Sequence, residues 1–259
     1  MKAIRLLWLA VFLLASASAA LAQKAGEDSV PGQSSSAAVV FNEQGVKYVQ
    51  AGEYSKAIEV FRKAVRLKSD YAPALNNLGV TYGAAHRYLE AVDSLQTAIR
   101  LAPLYSEAHF NMGSAYNSIG QYRKAVESLR QAILLKPELA QAHNNLGVAY
   151  EELGRHDEAI TCYREALRLD PKNGRVYNNL GTALFESGRR KEAIESFRQA
   201  LELAPELKQA HFNLGVVYLA VKNKEAALAQ YRVLKTLAAD SADELYRGIF
   251  KDKLLVVKR

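Results

Sequence analysis

The sequence predicts an all-α fold, a solenoid of antiparallel helix pairs closed by a C-terminal capping helix, and three observations carry that prediction. Six glycines, Gly45, Gly79, Gly113, Gly147, Gly181 and Gly215, recur every 34 residues without a slip. Other positions keep the same phase: Tyr48, Tyr82, Tyr116, Tyr150 and Tyr218 follow the glycine by three, with Leu184 in the remaining slot, and Ala57, Ala91, Ala125, Ala159, Ala193 and Ala227 come later. Four residues beyond each alanine stands a large apolar residue, Phe61, Leu95, Leu129, Tyr163, Phe197 or Tyr231, and Pro103, Pro137, Pro171 and Pro205 close four of the units. A fixed period of this length marks stacked units, each too small to bury its apolar face alone.

Within a unit, the pattern predicts two helices of about 14 residues, each roughly 21 Å long at about 1.5 Å per residue. Helices that cross closely need a small residue at the contact. A helical glycine costs about 1 kcal/mol relative to alanine, so its return in all six units points to close backbone approach. A second glycine, at Gly52, Gly120, Gly154 and Gly188, falls where the first helix must end in a left-handed cap. The prolines mark the end of the second helix, because proline cannot continue a helix interior. Each unit reads helix, turn, helix, turn.

These residues resemble the tetratricopeptide repeat family, whose Leu-Gly, Tyr, Ala, aromatic, Ala and Pro pattern is met in runs such as Asn145-Leu146-Gly147-Val148-Ala149-Tyr150. The resemblance covers residues 38–241 as six tandem units, 38–71, 72–105, 106–139, 140–173, 174–207 and 208–241, and implies a right-handed superhelical solenoid. The end units depart from the pattern: Gln44 and Ser69 in the first, Lys222 and Ala239 in the last. Terminal repeats differ because one face lacks a neighbour.

Ahead of the repeats, Lys2 and Arg5 precede the apolar run from Leu6 to Ala15, and a small-residue stretch ends in Ala20-Leu21-Ala22. This reads as a bacterial-type signal peptide spanning 1–22. A retained anchor is the competing reading, but the apolar part is about 10 residues and a span needs roughly 20. Cleavage places the mature chain in the periplasm or outside the cell. Residues 23–37, with Pro31, Gly32 and three serines, read as a flexible linker. Residues 242–259 read as a capping helix and tail, with Leu245, Ile249 and Tyr246 at helical spacing. A membrane-surface helix using Lys251, Lys253, Lys258 and Arg259 is the other reading, and allows peripheral envelope association.

The net charge of +7 falls to +5 without Lys2 and Arg5, and residues 38–241 hold 26 basic and 22 acidic side chains. Opposite charges alternate, as in Arg189-Arg190-Lys191-Glu192, whereas nucleic-acid readers gather cations on one face. No nucleic-acid partner is expected. Cys162 is the single cysteine, which excludes an intramolecular disulfide and reads as a small packing residue.

The residues give no sign of catalysis, of a cofactor or of a metal centre. His109, His143 and His211 each stand four before a repeat glycine. Equivalent sites in adjacent units lie at least about 8–10 Å apart, too far for shared zinc ligation at about 2.1 Å per ligand, so they read as packing residues. Glu151 and Glu152 diverge by about 100° on a helix.

In the tetratricopeptide family the first helices line a concave groove, and the positions two before and one after the glycine face it. The resemblance therefore implies a peptide-binding groove containing Asn77, Asn111, Asn145, Asn179 and Asn213, with Val80 and Val148 one past the glycine and Phe110 and Phe185 adding aromatic surface. An asparagine amide offers donors and an acceptor, enough to meet both polar groups of an extended peptide. The ladder resembles that in the repeat domain of O-linked N-acetylglucosamine transferase. Asparagine at this position is equally a scaffold residue of the family, and both readings stand. Three before the glycine the chain has Asn42, Asn76, Phe110, Asn144, Asn178 and Phe212, not the Lys and Arg of a carboxylate clamp. The expectation is an exported, non-enzymatic adaptor for a largely neutral extended peptide or partner protein. The alternative is a structural subunit of an envelope assembly that works through its convex face or ends.

Overall fold

The computed structural model describes residues 31–250 and Val257; the expected signal peptide and most of the tail beyond 250 lie outside these. Among the described residues every regular element is a helix, and the chain divides into two compact units, residues 1–137 and 138–259. The first unit holds α1 (Pro31–Gln50), α2 (Tyr54–Leu67), α3 (Ala72–Ala84), α4 (Tyr88–Leu101), α5 (Ser106–Ser118) and α6 (Tyr122–Leu135). The second holds α7 (Ala140–Glu152), α8 (His156–Leu169), α9 (Gly174–Glu186), α10 (Arg190–Leu203), α11 (Lys208–Ala220), α12 (Lys224–Leu237) and α13 (Ala239–Phe250). Within each unit, consecutive helices pair as the 34-residue period requires. The helix α1 begins at Pro31, inside the segment read as a linker, so residues 31–37 are helical; proline suits a first helical position because its missing N–H has no intrahelical partner there.

The glycine slots explain the pairing. A Cβ added at Gly45 would lie 2.6 Å from the Phe61 ring, and one at Gly113 would lie 2.5 Å from Leu129 Cγ. The same replacement meets Leu95 at Gly79, Tyr163 at Gly147 and Phe197 at Gly181. In each case the residue sixteen positions on, in the second helix, fills the space that glycine leaves. Phe61, Leu95, Leu129, Tyr163 and Phe197 are all fully buried, each contributing about 1.5–3 kcal/mol of apolar burial.

The turn between paired helices is equally regular. The residue seven past each repeat glycine has positive φ, from 60° at His86 and 61° at Lys222 to 80° at Gly188. The amide that follows donates to the carbonyl five residues back, as in Glu53 to Tyr48 at 2.9 Å and Arg155 to Tyr150 at 2.9 Å. These are Schellman caps, which satisfy carbonyls that a helix end would otherwise orphan. His86 and Lys222 hold the left-handed conformation without the freedom of glycine, a conformation that costs about 1–2 kcal/mol for a residue with a Cβ.

The last helix pair breaks the rule. A Cβ at Gly215 would meet Leu245 Cδ2 at 2.6 Å, not Tyr231. Leu245 belongs to α13, which buries Ala242, Leu245 and Ile249. Tyr231 is only half-buried and lies beside Tyr246, with ring centroids 5.6 Å apart. The helix begins three residues earlier than the expected start at 242, and its Tyr246 stays 40% exposed.

Candidate peptide-binding face

The five asparagines sit on first helices, and four of them are held by the asparagine three before the preceding glycine. Asn77 Nδ2 donates to Asn42 Oδ1 at 3.0 Å, and Asn111 Nδ2 donates to Asn76 Oδ1 at 2.9 Å, both within the first unit. In the second unit, Asn179 donates to Asn144 at 3.3 Å and Asn213 to Asn178 at 3.1 Å. Shorter links run along one helix, from Asn144 Nδ2 to Asn145 Oδ1 at 3.2 Å. Each unit thus has its own amide network joining successive first helices at a spacing of 35 residues.

Phe110 stands where the pattern would supply a further amide. Nothing donates from that slot to Asn111 Oδ1, which is buried without a hydrogen-bond partner. Such an acceptor loses its water without replacement, at about 1–3 kcal/mol.

Burial sorts the nine expected groove residues into two sets. Asn77, Asn111, Asn145, Asn213, Val80 and Phe110 are buried, Asn213 completely. Asn179, Val148 and Phe185 are half-exposed, all three in the second unit. The amides expected to offer their donors to a ligand therefore give at least one each to a neighbouring helix at four of five positions. The physical reason is distance: first helices stack closely enough for side chains on facing positions to reach one another, and a buried amide must be paired.

The accessible strip is on α7 and α9. Asn144, Val148 and Glu152 follow at i, i+4 and i+8 on α7, half-exposed to exposed, and α9 contributes half-exposed Asn179 and Phe185 with exposed Glu186. Residues four apart share one helix face, so amide, apolar and acidic groups alternate along it.

Glu151, next to Glu152 in the chain, is not part of this strip. It is 2% exposed, and the Tyr163 hydroxyl donates to its Oε2 at 2.7 Å. Tyrosine in the large apolar slot of this pair, where the pairs at Gly45, Gly79, Gly113 and Gly181 carry Phe or Leu, coincides with the buried carboxylate that uses its hydroxyl.

Two of the three in-phase histidines serve turns. His109 Nε2 donates to the Pro103 carbonyl at 2.9 Å, and His211 Nε2 to the Pro205 carbonyl at 2.8 Å, so each ring ties its first helix to the turn six residues earlier. Among the described residues, no group of three His, Cys, Asp or Glu side chains converges as a metal site, and no helix is long and apolar enough to cross a membrane. Cys162 is half-buried on α8.

The exterior carries a repeating cation device at the turns. Arg87 lies 4.7 Å from the Tyr82 ring and Arg155 lies 4.6 Å from the Tyr150 ring. Each also pairs with a glutamate three residues on, Glu90 or Glu158. Hydrogen bonding from the guanidinium holds both carboxyls below the usual range. In the first unit, burial pushes the Tyr105 phenol up to about 12, helped by the charges of Glu107 and Tyr71.

A model of the cilia and flagella-associated protein 70 C-terminal domain, a tetratricopeptide-repeat family, matches residues 10–246. A search of the curated proteins found no significant match. Among solved structures the chain is similar to MamA, with 31% identity over 61% of this chain and 93% of that one, at a TM-score of 0.58. It is similar to PilF of Pseudomonas aeruginosa, with 19% identity over 85% of this chain and 100% of that one, at 0.73. It also resembles YrrB, described as a tetratricopeptide-repeat protein with an unusual peptide-binding site, with 22% identity over 73% and 93%, at 0.58. The glycine slots, the Schellman turns and this match over most of the chain lead to one conclusion: the chain belongs to the family of the cilia and flagella-associated protein 70 C-terminal domain, built of tetratricopeptide repeats.

Proposed function

We propose that the chain is an exported adaptor that performs no chemistry and binds an extended segment of a partner protein on the first-helix face of its second unit. The observation that carries this reading is the accessible strip of Asn144, Val148 and Glu152 on α7 beside Asn179 and Phe185 on α9. Its elements suit an extended peptide: amides for main-chain groups, shallow apolar positions for side chains, and carboxylates at 152 and 186 that disfavour acidic ligands. The asparagine networks act as braces beneath this face. They fix the spacing of first helices before a ligand arrives, which lowers the ordering cost of binding. The peptide-binding site of the similar YrrB supports the class of ligand, and the Lys2 to Ala22 pattern supports export.

The test is capture of a partner from an envelope extract by the full chain, with Val148→Asp and Phe185→Ala variants checked for folding by circular dichroism. The reading requires a partner held by the parent and lost by the folded variants. Equal retention by both variants overturns it.

A second reading, a structural subunit docking through second-helix faces, is favoured by Leu89 on α4 and Leu134 on α6. They are 67% and 73% exposed, large apolar groups left in water. In that case Leu89→Ser and Leu134→Ser abolish assembly while substitutions at Val148 and Phe185 are silent.

A further inference from the structure

Phe250 ends α13, and Lys224 Nζ stands 4.8 Å from its ring. Lys224 opens α12, four residues after α11 ends at Ala220, so residues 251–259 leave the body of the second unit at the edge where its first helices end. Glu186 and Glu152 hold the same place 34 and 68 residues before Ala220, as the last residues of α9 and α7.

That edge changes character along the stack. The helix α11 ends in half-exposed Leu219 and exposed Ala220, α9 in half-exposed Phe185 and exposed Glu186, and α7 in buried Glu151 and exposed Glu152. It runs from apolar to acidic with distance from α13. Helix C-termini add negative potential to the two exposed carboxylates. The arginines of the same turns are engaged elsewhere, Arg155 with Glu158 and Arg189 with Glu192.

The segment after Phe250 is ordered in the same sense. Leu254-Leu255-Val256-Val257 comes first and Lys258-Arg259 follows. At about 3.3 Å per extended residue, the apolar run lies roughly 13 to 23 Å along the chain from Phe250, and the two cations roughly 26 to 30 Å. Leu245 of α13 packs into the Gly215 slot of α11, and each further step between packed first helices is about 8–10 Å. The apolar run therefore matches α11 and α9, and the cations match Glu186 and Glu152. Val257, the described residue beyond Phe250, is only 8% exposed, so the segment returns to the body of the protein.

We propose that residues 251–259 fold back along this edge as an intramolecular occupant of the peptide face, with Leu254 to Val257 over Leu219 and Phe185 and with Lys258 and Arg259 against Glu186 and Glu152. This rests on the reading of α7 and α9 as a face for extended segments and adds its regulation: a partner binds by displacing the tail. Tethering makes a weak contact sufficient, because a short linker supplies a roughly millimolar effective concentration.

The test replaces Val257 with a benzophenone amino acid in the full-length chain, irradiates a mixture of isotopically light and heavy protein, and maps adducts by mass spectrometry. Adducts within one chain on residues 182–186 and 216–221 are expected. Glu152→Lys with Glu186→Lys, in a chain shown to be folded by circular dichroism, reduces those on 182–186 at least threefold. A second measurement keeps Val257: a fluorescein-labelled peptide with the sequence of residues 251–259 is titrated with the parent and with the full-length Lys258→Glu, Arg259→Glu variant. Weakening the tethered copy tightens binding of the free peptide at least fivefold. Adducts confined to α12 and α13, adducts joining light to heavy chains, or equal affinity of the free peptide for both proteins would sink the proposal. A tail mapped to 182–186 with no partner captured from the envelope extract keeps this contact and removes the adaptor reading; a captured partner with tail adducts on α12 and α13 alone does the reverse.

Discussion

The pairs built around Gly147 and Gly215 share one template and differ in what fills it. At Gly147 the space belongs to Tyr163 of the paired second helix; at Gly215 it belongs to Leu245 of α13. The earlier slots, at Gly45, Gly79, Gly113 and Gly181, follow the Gly147 arrangement. Each of those pairs fills its glycine slot from its own second helix, whereas the last pair accepts a side chain from the covering helix and leaves its own Tyr231 ring half-buried beside Tyr246. The same stacking rule thus makes a sealed interior in one place and an exposed aromatic row in the other.

The largest test of this difference compares truncations in equivalent slots. Phe197→Ala, at a fully buried site, is expected to cost about 3–5 kcal/mol, and Leu245→Ala about 2–5 kcal/mol. Tyr231→Ala, at the position matching Phe197 but half-buried, is expected to cost only about 1 kcal/mol. Urea denaturation of the three variants measures the order, and a Tyr231→Ala cost equal to that of Phe197→Ala breaks the comparison.

Next in size is the polar contact particular to the Gly147 pair. Tyr163→Phe keeps the ring but removes the hydroxyl that donates to buried Glu151 at 2.7 Å. The expected loss is about 1–3 kcal/mol for leaving that acceptor short of a partner. The control is Tyr231→Phe, whose effect should fall within about 0.5 kcal/mol.

The turns give a smaller effect of opposite sign. Lys222 holds φ of 61° where the Gly147 pair has Gly154 at 72°. Lys222→Gly is expected to raise stability by about 1 kcal/mol, and Gly154→Ala to lower it by a similar amount. A Cβ at Gly154 meets nothing within 4 Å, so that loss is conformational and not steric.

The smallest effect is on pH. Hydrogen bonding from arginine depresses the Glu90, Glu158 and Glu192 carboxyls. Their contribution is complete above the ordinary glutamate value of 4.5 and disappears as pH falls through the lower folded values. Thermal melts from pH 7 to pH 3 should show little change above pH 5 and a decline below 4.5. Replacing all three with glutamine should flatten only a small part of that decline, because the pairs are exposed.

Periodicity makes the fold readable in the sequence: the glycine, tyrosine and alanine phases mark helix contacts, and four glycines mark four of the caps. The left-handed backbone at His86 is not legible in the sequence, because a histidine in that phase gives no compositional sign of it. The helical residues 31–37 were hidden by a proline, a glycine and three serines that also suit a linker. At the candidate face, the sequence showed the asparagines two before the glycine but not their partners. Those lie 35 residues apart, one out of phase with the repeat, and their pairing depends on how adjacent first helices face each other. Accessibility was likewise not legible, since Val80 and Val148 occupy the same phase yet only the first is fully enclosed by neighbours.

The decisive measurement for the peptide-adaptor account is site-specific photo-crosslinking in the envelope, with a benzophenone amino acid replacing Val148 in one full-length variant and Leu89 in another. The account predicts a discrete partner adduct from position 148 and none from position 89. An adduct from position 89 alone would contradict it and make the second-helix surface the working face.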